Sequence, residues 1–245
     1  MITPSLLEDV RSKFAHVDSC PFQGPRVFFE NAGGALTLKS AVETSAKFAA
    51  IPDNQGRDNP AAHALVDIIN TAKASAMEWF NASSGQVFVG ESGTELLFRL
   101  IRTAVAGTSG GVLLGSTVEH PASRSAMNQW AEKLDRDYHL VPHDDALGLV
   151  AAQAYAEHVT PDTKVATILH TSPVTGMGMD LAAISAAIRA VAPDCFIIVD
   201  GIQHASHGLV DLEAANVDGY VVSPYKVFSR HGYGVAWVSD RLTAL

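Results

Sequence analysis

The chain has 245 residues, 47% hydrophobic and 18% charged, with 19 Gly and 11 Pro scattered without a period. That composition supports a sizeable core and excludes collagen, coiled coil and general disorder. A diffuse net charge of −9 lacks the basic footprint of a nucleic-acid binder, and no apolar run is long enough to span a membrane.

Cys20 and Cys195 form no CxxC pair and no disulfide framework, and the first residues lack a basic segment followed by an apolar one. The expectation is a cytoplasmic chain. In chain order, residues 27–29 read as a first buried strand, and 51–61, rich in turn formers, as a surface or active-site loop. An Ala-rich helix is expected over 62–80, a strand at 87–89, a helix over 94–106, a strand at 112–114 and a helix over 122–135. Strands follow at 165–169, 196–199, 220–222 and 235–238, with a helix over 181–191. This alternation predicts an α/β fold, three αβα layers around a mostly parallel, mixed, seven-stranded sheet. In such sheets the chemistry lies at the carboxyl ends of the strands.

The residues that follow each strand are therefore the informative ones. After 87–89 comes Gly90-Glu91-Ser92-Gly93-Thr94-Glu95, opening a helix. It reads either as an anion cradle or as an N-cap with a capping glutamate. It nearly matches a G-x-S-x-G nucleophile elbow, but Thr94 stands where the last Gly belongs. His120 follows 112–114 and could stack on a planar ligand, shuttle a proton or be structural. A hydroxyl-rich turn, His170-Thr171-Ser172-Pro173, follows 165–169. Asp200 ends the apolar run Cys195-Phe196-Ile197-Ile198-Val199. A charge buried there needs a cation, a metal or strong donors, unless it is simply an N-cap. After 220–222 comes Ser223-Pro224-Tyr225-Lys226, whose lysine lies between apolar segments. It reads as a desolvated nucleophile or as a surface lysine with its stem on apolar neighbours. An imine-forming lysine, an anion cradle, a ring-stacking group and a buried carboxylate are together what pyridoxal phosphate requires.

In the order Glu119-His120, His170-x-Ser172, Asp200-Gly201-x-Gln203 and Ser223-Pro224-Tyr225-Lys226, the chain resembles the class V aminotransferases of the fold-type-I pyridoxal-phosphate enzymes. Among them it looks most like the cysteine-desulfurase-like proteins. The opening Val27-Phe28-Phe29-Glu30-Asn31-Ala32-Gly33-Gly34 is also similar to their N-terminal signature. The resemblance implies a Schiff-base lysine at Lys226, an aspartate on the pyridine nitrogen at Asp200 and a stacking, proton-transferring histidine at His120. It further implies a ring-hydroxyl contact at Gln203, phosphate contacts at Gly93, Thr94 and Ser223, and a substrate side built from Asn31, Ala32, Gly33 and Arg57. It implies an N-terminal segment over 1–25, a pyridoxal-phosphate-binding large domain over 26–245, and a C-terminal small domain that this sequence lacks. The expected partners are a small amino-acid substrate and a second copy in a homodimer, with no nucleic acid, membrane or metal. Tyr225 stands where many desulfurases have His, and Pro173 where many have Asn. Two other readings stand beside this one: a zinc-dependent hydrolase using Asp200, His204 and His207, and a non-catalytic scaffold that keeps the fold.

Overall fold

Every strand expected after residue 80 pairs into one sheet in the computed structural model, which describes residues 2–52 and 55–245. The chain divides into two units, Met1–Ser75 with Pro224–Gly232, and Ala76–Ser223 with Tyr233–Leu245. In chain order the elements begin with α1 (Pro4–Ser12), β1 (Ser19–Cys20), β2 (Gly24–Pro25), α2 (Lys39–Ala49) and α3 (Pro60–Trp79). They continue with β3 (Gln86–Gly90), α4 (Gly93–Ala106), β4 (Val112–Ser116), α5 (Pro121–Lys133), β5 (Tyr138–Val141), α6 (Ala152–His158) and β6 (Thr163–Leu169). The last are α7 (Leu181–Val191), β7 (Phe196–Asp200), α8 (Leu212–Ala215), β8 (Gly219–Val222), β9 (Gly234–Val238) and α9 (Asp240–Thr243).

In the second unit the strand order is β3-β9-β8-β7-β6-β4-β5, and the run from β8 to β5 is parallel. β9 alone runs antiparallel to both of its neighbours. The expected seven-stranded mixed sheet is therefore present. Its core follows from period-2 strands meeting period-3.6 helices. Leu96, Leu97, Leu100, Ile101, Ala104 and Val105 form one apolar stripe on α4, packed with Ala126 and Met127 of α5 against Val165, Ile198, Val221 and Ala236 of the sheet. The alternate strand residues Ile197, Val199 and Tyr220 point to the opposite face and are fully buried as well.

One expected strand is absent. Residues 27–29 are extended but pair with nothing in a sheet, and Val27 and Phe29 are 81% and 90% exposed. The in-and-out alternation is real, since Phe28 turns inward under the Arg26 guanidinium at 5.2 Å, but no neighbouring strand answers it. The seventh place goes instead to β5, a short edge strand whose Tyr-His-Leu-Val carries little apolar signal. In the loop expected over 51–61, α3 already begins at Pro60, and Asp53 and Asn54 lie outside the described residues.

In the first unit, the backbone around Tyr225 and Phe228 is fastened to the chain near residue 36. Ala35 donates its amide to the Tyr225 carbonyl and Leu38 to that of Phe228, both at 2.9 Å. Phe228 holds a left-handed φ of 62°, costly for a bulky residue, with its ring edge-on to Phe14 at 5.4 Å.

At the amino end of the sheet, Asp218 is the buried hub of the second unit. One oxygen accepts from Arg189 at 2.9 Å, Arg241 at 2.7 Å and the Ile197 amide at 2.9 Å. The other accepts from Ser239 and Arg241, each at 3.0 Å. Both guanidiniums also reach the Cys195 carbonyl, tying α7, α9 and the start of β7 together. Removing the carboxylate strands two cations and an amide. We expect Asp218→Ala to lower unfolding stability by about 3–5 kcal/mol, read as a lower urea midpoint at unchanged slope. A loss below about 1 kcal/mol would make the hub incidental.

Candidate active site

The carboxyl edge of the parallel strands collects the polar residues of the second unit. Ser92 caps α4 by accepting from the Glu95 amide at 3.1 Å, which settles the cap and leaves the amides of the first turn directed at the edge. That turn is tightly seated. A Cβ on Gly93 would run into the Ser223 hydroxyl and Ile202, and one on Gly234 would lie 2.5 Å from the Ser92 carbonyl carbon. The antiparallel β9 thus begins against the α4 N-terminus, and Ser223, beyond β8, places a hydroxyl beside Gly93. Two expected phosphate contacts meet here, next to Thr94 and the positive end of a 14-residue helix.

Asp200 ends β7 at 3% exposure, and its Oδ1 accepts from the Ile202 amide at 3.1 Å. The turn after it needs Gly201, because a Cβ there would strike the Tyr220 ring. Gln203 is buried and donates its amide nitrogen to His207 Nε2 at 3.1 Å. Between β6 and β7 the ring of His170 stacks on His204, centroids 3.4 Å apart and 12° from parallel. His170 Nδ1 lies 2.8 Å from the Tyr220 hydroxyl. Burial pushes the Tyr220 phenol up, so it stays a neutral hydroxyl in this bond. His204 Nε2 donates to the Leu209 carbonyl at 3.2 Å, so its Nδ1 accepts from Thr171 at 2.9 Å.

His120 sits in the turn between β4 and α5, where its Nδ1 accepts from the Ala122 amide at 3.1 Å as the N-cap of α5. That bond fixes the proton of the neutral ring on Nε2. Directly before it, Glu119 is 6% exposed and takes the Ser116 hydroxyl at 3.0 Å. Burial, and next the charge of Asp200, push its carboxyl up to about 8. Residue type alone singles out the histidine of this Glu-His pair and passes over the glutamate. The available signal is an acid in the short turn that follows a largely apolar strand.

In the first unit, Lys226 closes the 3₁₀ turn Pro224–Lys226 and is 9% exposed. The Tyr225 ring stacks on His231 at 4.4 Å, and Gly34 leaves room for it, since a Cβ there would meet the ring at 3.2 Å. Asn31, Ala32 and Gly33 form an exposed turn closed by the Gly33 amide on the Glu30 carbonyl at 3.0 Å. Gly33 lines a cavity of about 590 Å³ that Arg26, Phe28, Glu30 and His231 share. Arg57 is exposed. The zinc reading finds no ligand set: both nitrogens of His204 are engaged, His207 accepts from Gln203, and among the described residues no group of three or more His, Cys, Asp or Glu could hold a metal. Cys195 is packed behind β7 with its thiol pushed up to about 12 by burial, an inert position.

A glycine-lined helix start with Ser223 against its first turn, a carboxylate at the end of the adjacent buried strand and, in sequence, a lysine three residues beyond that serine are the features that the class V aminotransferase resemblance leads one to expect. A family profile for aminotransferase class-V matches residues 27–244, and the chain belongs to this family. It is 25% identical over 221 residues to a probable cysteine desulfurase of Mycoplasma genitalium, covering 87% of this chain and 53% of the relative. It is 27% identical over 233 residues to the cysteine desulfurase-like protein ustD of Aspergillus flavus, covering 92% and 51%. The crystal structure of the cysteine desulfurase CsdA from Escherichia coli superposes with a TM-score of 0.82 at 20% identity, covering 96% of this chain and 58% of that one. The chain therefore spans about half the length of the curated relatives it matches.

Burial, and after it the neighbouring His204, hold His170 down to about 3 from its ordinary 6.5. The folded chain keeps this ring neutral while the unfolded chain protonates it. Its contribution is fully present above about 6.5 and is lost as pH falls toward 3. His170→Asn is expected to flatten the fall in melting temperature between pH 7 and 4; an unchanged slope would refute this.

Proposed function

We propose that this chain binds pyridoxal phosphate and forms the cofactor-binding portion of an enzyme acting on a small amino acid. The seating of Ser223 on Gly93 at the α4 N-terminus carries this reading, because it gathers a hydroxyl, free amides and a helix dipole where a phosphate dianion would be held. Asp200 supplies the buried anion that a protonated pyridine nitrogen requires. Gln203 would meet the ring hydroxyl, and His120, its proton fixed on Nε2, would face the ring. When bound, the cofactor supplies an electron sink for the bond broken at the substrate α-carbon.

Lys226 would hold that group through its amine and, once displaced by the substrate, move the proton at the α-carbon. Topology supports this assignment. Val222 pairs with Val235, so the segment carrying Lys226 leaves and re-enters the sheet at its carboxyl edge. Asn31, Ala32, Gly33 and Arg57 are proposed for the substrate side. Sulfur removal from cysteine is favoured over transamination or epimerisation by the relatives' names. Cytoplasmic residence belongs to the same proposal.

The test is to load the purified chain with pyridoxal phosphate, reduce it with borohydride and map the product. A pyridoxyl adduct is expected on Lys226, absent in Lys226→Ala, and Asp200→Asn should weaken cofactor binding by about 10- to 100-fold through loss of a charge-assisted bond. Adducts spread over surface lysines would overturn the assignment, and a specific adduct with no turnover of any amino acid would favour the scaffold reading.

A homodimer is proposed as well. Phe22, Val27 and Phe29, clustered along the chain, are 98%, 81% and 90% exposed, as apolar side chains awaiting a partner would be. Sedimentation should show a dimer that Phe29→Asp weakens; a monomer at high concentration would refute it.

A further inference from the structure

We propose that Glu119 is a positioning residue that remains uncharged at neutral pH and so leaves the negative charge of the carboxyl edge to Asp200. The role of Asp200 opposite a pyridine nitrogen rests on the proposed function; the state of Glu119 rests on its burial and on an oxygen left without a hydrogen-bond partner.

Glu119 lies in the turn between β4 and α5, where the amide of Leu169 acts on it, and Leu169 at the end of β6 pairs with Asp200 of β7. Its Oε1 is bonded to the Ser116 hydroxyl at 3.0 Å, while Oε2 is buried with no hydrogen-bond partner at normal distance. Tyr155 of α6 hydrogen-bonds the same serine, and the Tyr138 phenol of β5 also feels the Glu119 charge. Among the described residues, the groups that act on Glu119 are Asp200 on β7, Ser116 on β4 and the amides of Ser116 and Leu169. The ionised group in this set is another carboxylate. His120, the next residue, turns its Nδ1 to the Ala122 amide.

A charged Glu119 would thus be buried with one oxygen unsatisfied and a like charge nearby, a costly state for a buried acid. A neutral carboxyl removes the repulsion toward Asp200 and still holds Ser116. Protonating Asp200 instead would surrender the anion the pyridine nitrogen needs. Two acids of unlike surroundings therefore divide the work, one neutral and one charged. The glutamate fixes the turn that presents His120 and sets the charge of a neighbour without touching the ligand.

The decisive measurement uses the cofactor-free chain with glutamate δ-carbons labelled with 13C. One resonance is expected to titrate with a midpoint near 8 instead of the ordinary 4.5, and to vanish in Glu119→Gln. Every glutamate titrating below 6 would overturn the proposal, whatever the fate of the cofactor assignment. In the loaded protein, Glu119→Gln should bind pyridoxal phosphate within about twofold of wild type below pH 7 and diverge from it above 8. A tenfold or greater loss at pH 6–7 would show that a charged glutamate is needed and would also overturn it. Should neither protein bind the cofactor, the labelled titration still decides the state of Glu119, and only the proposed function falls.

Discussion

The structure turns on how a negative charge is kept at the end of a wholly apolar strand. β7 is buried from Phe196 to Asp200, and its neighbours β6 and β8 are nearly as dry. A parallel sheet covered on both faces has few routes for water, so any carboxylate within it must be answered by the protein or by a ligand. Among the buried acids of the second unit, Asp218 and Asp200 are treated differently. Asp218, at the amino end, is matched by two guanidiniums and an amide. Asp200, at the carboxyl end, receives the Ile202 amide and faces the edge where helix N-termini and loops converge. The first is a fastening and the second belongs to a site.

Close packing of backbone makes that edge. Gly93, Gly201 and Gly234 stand where any side chain would collide with Ser223, Tyr220 or the Ser92 carbonyl carbon, respectively. The glycines let strand ends and a helix start share a small space, while the imidazoles around it are held by directed hydrogen bonds. His170 is bonded to the Tyr220 hydroxyl, His204 accepts from Thr171, and His120 accepts from an amide. Burial holds both His170 and His204 below the ordinary imidazole value, so these two rings add no positive charge to the edge.

Much of this was legible from residue order. Apolar runs of Val and Ile mark β4, β6, β7 and β8 because strands buried on both faces need no alternation, and the polar residue after each run fell where the chemistry is. What failed did so for identifiable reasons. Residues 27–29 have the composition of a strand, but pairing is decided by a neighbour that a local window cannot see. β5 has a neighbour but little apolar content, since an edge strand is only partly covered. The raised carboxyl of Glu119 was out of reach because it depends on burial and on Asp200, which come together only in the fold.

β9 has a consequence for assembly of the sheet. It pairs on one side with β8, separated from it by a short excursion of chain, and on the other with β3 from the opposite end of the unit. Closing the first pair costs little loop entropy, whereas the second requires nearly the whole unit to be gathered. The proposed phosphate cradle adjoins the place where β3 and β9 meet, at Gly90 and Gly234. Binding competence is therefore among the last properties the nascent sheet acquires, and a ligand seated there would act as a clasp on its slowest-forming seam.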